Sequence, residues 1–168
     1  MKLKSSVMVL VLAMSAHTAH ALDAGRYKTL VAETISGISS NDVDVVRMID
    51  LQQQLIAMGV QGARAFAVDS PADATLMNFV ADQADAMQQM TLDEIEAAWH
   101  DGEALEEIGL AMDALDHFGA QISHMDAIVH PATAIIALRE YQATGKKSYL
   151  VQVKDELSEV VEHIGHLN

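Results

Sequence analysis

The sequence predicts an all-α fold after residue 22, an up-and-down helical bundle of four main helices with shorter additions, and three observations carry that expectation. Apolar residues recur at helical spacing almost throughout. Alanine is abundant, while aromatic residues make up only 4% of the chain. Pro71 and Pro131 are the two prolines in 168 residues, so little interrupts a helix. Helical stretches joined by short turns describe such a bundle.

The first helix covers about 23–38 and stops at GISSND, where Gly37 and the serines end it and Ser40 or Asn41 can cap the next. The second begins near Asp42 and ends near Val68. Val43, Val45, Val46, Met48, Ile49, Leu51, Leu55 and Ile56 give it apolar residues on most sides, so it is expected at the centre, with Gly59 and Gly62 as weak points. Ser70 before Pro71 reads as the cap and first residue of a third helix reaching about Gln89, because a proline there loses no intrahelical bond. Thr91 and Glu94 have capping-box spacing and open a short helix to His100. After HDGEALEE a long helix is expected from Glu103 to about Val129, kinked or restarted at Pro131, whose ring clashes with the carbonyl of Ala127. ATGKKS is a turn with Gly145 as its C-cap, and a last amphipathic helix runs from Tyr149 to about His166.

Residues 1–21, MKLKSSVMVLVLAMSAHTAHA, place Lys2 and Lys4 before an apolar run and end on small residues at Ala19 and Ala21. This is the layout of a secretory signal peptide cleaved after Ala21. The expectation is a soluble periplasmic or secreted protein with one helical-bundle domain over 22–168, since no later stretch is apolar enough to span a bilayer. The absence of cysteine excludes disulfides, thiolate metal sites and haem attachment through CxxCH. Loss of the leader would leave eight basic residues against 24 acidic ones, a formal charge of −16. Such a surface repels nucleic acid and anionic lipid, and favours cations and basic or envelope proteins as partners.

Six histidines follow the leader, and five have an acid four residues earlier: Glu96 before His100, Asp113 before His117, Asp126 before His130, Glu159 before His163 and Glu162 before His166. Residues four apart share a helix face, and imidazole with carboxylate suits zinc, copper or nickel. Glu159, Glu162, His163 and His166 form the densest set; Asp113, His117 and His124, and Asp126 with His130, are secondary ones. Helical phase sets the last helix's apolar stripe at Val153, Leu157, Val160 and Ile164, with Glu159, Glu162 and His166 opposite and His163 at the border. The same phase turns Asp113, His117 and His124 to water, while Asp126 and His130 fall nearer the core at the Pro131 break. Ligands facing water argue against an enclosed cofactor; the pairs read as helix-stabilising contacts, a surface metal site or a pH-responsive surface.

Met87 and Met90 could offer thioethers to Cu(I), but core filling is the commoner use. Trp99 reads as packing for the short helix. Neither a Gly-rich phosphate loop, nor HExxH, nor a serine with matched His and Asp occurs. The expectation is a small acidic exported protein that binds an envelope protein or a cationic ligand without catalysis. The alternative is a periplasmic buffer or carrier of zinc, copper or nickel, built on surface His/carboxylate pairs.

Overall fold

The computed structural model describes residues 22–167, so the expected leader lies outside the described residues. The fold is all-α, 79% helical and without strands among the described residues. Its helices are α1 (Ala24–Ile38), α2 (Val45–Asp69), α3 (Ala74–Met87), α4 (Leu92–Ile95), α5 (Ala120–Thr144) and α6 (Ser148–His163). None is long and apolar enough to cross a membrane.

Local chemistry starts and stops these helices. The carboxylates of Asp23 and Asp44 accept from the backbone N–H of Arg26 and Arg47 at 2.9 and 3.0 Å, so aspartates cap α1 and α2 where Ser40 or Asn41 was expected for the second. The Ser70 hydroxyl donates to Asp73, and Pro71 lies in a turn that delays α3 to Ala74. Thr91 and Glu94 close the expected capping box. Beyond α4 the chain winds into a π-helical turn over Glu96–His100, which Gly102 ends in the left-handed conformation. Gly145 caps α5 with φ 71°, its N–H reaching Tyr141 O at 2.8 Å.

The long helix expected over 103–129 does not form. Gly109 adopts φ 72° and ends a 3₁₀ helix at Glu103–Ile108; a second short turn covers Met112–Ala114, and α5 begins only after Gly119. Helical phase therefore cannot be carried from Asp113 to His124.

The central position belongs to α5, not α2. Every residue from Ile122 to Leu138 is buried. One apolar core joins α5 to α2, α3 and the 92–115 segment, and a second joins it to α1, α2 and α6. By contrast α2 keeps a wet face, where Val46 and Val68 stand exposed.

Gly59 is not a weak point but the place where α2 meets α5. A Cβ on it would stand 2.4 Å from Ala127 O and 2.8 Å from Ile128 Cγ1. Gly59→Ala is expected to destabilise the fold by about 1–3 kcal/mol despite alanine's higher helix propensity, because backbone must move. Gly25→Ala, which would meet only Asp23 Oδ1 at 3.4 Å, is the control and should not lower the urea midpoint.

The chain of α5 continues through Pro131. Proline leaves Ala127 O without its helical donor, and the Tyr27 hydroxyl of α1 supplies one at 3.0 Å. Tyr27 is fully buried, and burial first, then the charge of Asp126, raises its pKa well above 10.0, so it stays a neutral donor. Tyr27 thus satisfies the carbonyl at this break, and His130, one residue before the proline, takes Glu156 as its partner.

Candidate metal centre

Three elements converge on the N-terminal half of α5. That helix contributes Asp126 and His130, one turn apart and both buried. The facing side of α6 contributes Glu156, Glu159 and His163. The π-helical turn, which widens the backbone by one residue, brings in Trp99 and His100.

The α6 stripe of Val153, Leu157, Val160 and Ile164 is fully buried, as its periodicity predicts. His163, at the edge of that stripe, turns inward and is 3% exposed. Its Nδ1 hydrogen-bonds Asp126 Oδ2. His130 uses both edges of its ring: Nδ1 donates to Glu156 Oε2 at 2.7 Å, and Nε2 stands 3.9 Å from Asp126 Oδ1. His100 Nε2 lies 3.3 Å from Thr133 Oγ1 and 3.9 Å from the same Glu156 oxygen. Two groups of ligand atoms, each within 4.8 Å of one another, result: Asp126, His130 and His163, and His100, His130 and Glu156.

His100, Asp126, His130 and His163 border a cavity of about 130 Å³, lined also by His117 and Glu159 and by the apolar Trp99, Met112, Ile122 and Met125, while Glu156 stands behind His130 outside its lining. At roughly 30 Å³ per liquid water, that volume takes an ion and a few waters and is too small for a porphyrin. The Trp99 Nε1, buried, has no hydrogen-bond partner among the described residues. A larger hollow of about 460 Å³ between α2 and α3 is bordered by Gln53, Asp82, Asp85 and Gln88 and holds no imidazole.

The electrostatics of the centre follow from its burial. Burial pulls His130 down, but the hydrogen bond to Glu156 and the charges of Asp126, Glu156 and Glu159 outweigh it, and its pKa ends above 6.5. The Asp126 hydrogen bond raises His163 above 6.5 against burial and the neighbouring His130, with help from the charges of Asp126 and Glu159. Protons therefore compete with any entering cation for both rings.

The remaining histidines separate. His124, expected to face water, is 7% exposed and stacks on Phe66 of α2 at 4.9 Å. Its Nδ1 has no hydrogen-bond partner among the described residues, and burial lowers its pKa to about 4. Asp113 and His117 do not share a helix; both are exposed, and the His117 ring meets His163 edge-on at 4.8 Å. Glu159, Glu162 and His166 are exposed as expected, and the His166 ring packs on Phe118. The structure thus separates His163 from Glu162 and His166 and joins it to Asp126. Sequence spacing singled out most of the centre, but missed Glu156, which has no histidine four residues on. Met87 is fully buried, in core packing.

No family model, curated protein or solved structure matches the chain.

Proposed function

We propose that this protein binds a divalent first-row transition metal, zinc, copper or nickel, through Asp126, His130 and His163. The observation that carries the reading is the convergence of two imidazoles and a carboxylate from two helices in the interior, beside a cavity with room for an ion and water. Nitrogen and carboxylate oxygen bond such ions at about 2.0–2.2 Å, which puts ligand atoms of one tetrahedral site about 3.3 Å apart. Ligand atoms within 4.8 Å of one another need to close by at most about 1.5 Å.

Three protein ligands leave a fourth position for water, for Glu159 or for His117, both of which line the cavity. The cationic ligand favoured by the acidic surplus is then a metal ion. Together with the leader expected at residues 1–21, the reading is of an exported metal-binding protein.

Titration of the purified protein with Zn(II), followed by calorimetry and chelator competition, tests it. Uptake at micromolar or tighter affinity is expected, and Asp126→Asn combined with His163→Ala should abolish it. No uptake by the unaltered protein would sink the proposal.

A further inference from the structure

We propose that His130 bridges two metal ions as an imidazolate, one ion held with Asp126 and His163 and a second with His100 and Glu156. This rests on the metal-binding reading above and adds a second site to it. The two ring nitrogens of His130 lie on opposite edges of one plane, so a single ion cannot take both. Each edge already faces its own carboxylate, Glu156 at Nδ1 and Asp126 at Nε2. Each carboxylate is in turn met by another imidazole, His100 at 3.9 Å and His163 in direct hydrogen bond.

A carboxylate that serves only to orient a metal-bound histidine needs no second imidazole beside it. Here His100 is brought to Glu156 by the π-helical turn, with Nε2 toward the carboxylate oxygen and Thr133 Oγ1 alongside. The rings of His100 and His163 flank that of His130 at centroid distances of 5.2 and 6.3 Å, both steeply inclined to it. Side chain by side chain, the second group repeats the first: one private imidazole, one private carboxylate and a share of His130.

The proton balance is simple. Binding at Nε2 leaves one N–H proton, on Nδ1, held by Glu156. Binding at Nδ1 releases that proton to solvent, and the carboxylate turns from acceptor to ligand. Two positive ions lower the pKa of the ring between them, as a bound ion does for any ligand proton. Cu(II) and Zn(II), which accept imidazole with carboxylate, are the ions suited to this arrangement.

Metal analysis and Cu(II) electron paramagnetic resonance on the purified protein test the bridge. Two ions per chain are expected, with much of the isolated Cu(II) signal lost through magnetic coupling across the ring. His100→Ala and, separately, Glu156→Gln should bind one ion and restore an isolated Cu(II) signal; a cooperative thermal transition for each would show that it folds. One ion in the unaltered protein, or two without coupling, would overturn the bridge and leave the site at Asp126, His130 and His163 standing. No ion at all would overturn both.

Discussion

His130→Ala is expected to lower metal affinity more than any other single exchange in the chain, by more than about 100-fold. Loss of an outer-shell partner costs 10–100-fold in known sites, and a ligand shared by both groups must cost more. The side chain is 2% exposed, and both of its nitrogens face carboxylates. Its removal also leaves Asp126 and Glu156 short of a counter-charge in the interior. Breaking a buried pair typically costs about 3–5 kcal/mol, which urea denaturation would read as a large drop in midpoint. Glu162→Ala and His166→Ala, both on the exposed side, are expected to leave affinity unchanged. Affinity lost in those two and kept in His130→Ala would place binding on the surface and refute the buried centre.

Stability of the metal-free protein is expected to peak near pH 6.5 and fall on both sides, for opposite reasons. His130 and His163 have raised pKa values, so their contribution is complete below 6.5 and is lost as pH rises through the folded values. His124 is lowered from 6.5 to about 4, so its contribution is complete above 6.5 and is lost as pH falls toward 4. The acid limb from His124 alone is on the order of 3 kcal/mol, at about 1.4 kcal/mol per pH unit. Thermal unfolding across pH 4–9 would show both limbs; His124→Leu should flatten the acid one and His163→Gln the alkaline one. Added Zn(II) is expected to reverse the alkaline limb, because coordination requires imidazoles without their extra proton and so strengthens as pH rises. An alkaline limb unchanged by metal would count against the centre.

Much of the fold was legible where one physical signal acted alone. The α6 stripe is a single uninterrupted amphipathic period, and its four apolar residues are buried as the phase requires. The Thr91 capping box and the Gly145 cap are local devices that nothing distant overrides. The segment 103–119 went the other way. Its apolar residues keep helical spacing, but Gly109 in the left-handed conformation and Gly119 before α5 break the run, and both glycines stood in the sequence.

The candidate site was half legible. A carboxylate four residues before a histidine pointed to Asp126, His130 and His163, yet the hydrogen bonds join α5 to α6, and no single-helix periodicity encodes how two helices face each other. His124 shows the limit plainly. A wet side was inferred for a helix that has none through its middle, because α5 is covered all round by α2, α3, α6 and the cores between them.

The short 3₁₀ turns between His100 and α5 bear on traffic to and from the interior. One wall of the cavity is the buried N-terminal half of α5, whereas Met112 and His117, which also line it, belong to a stretch with few backbone ladder bonds and much solvent contact. Stretches of that kind open at far less free energy than a core helix. Exchange of an ion at the proposed site would then run on local opening of this stretch, independent of the global unfolding rate.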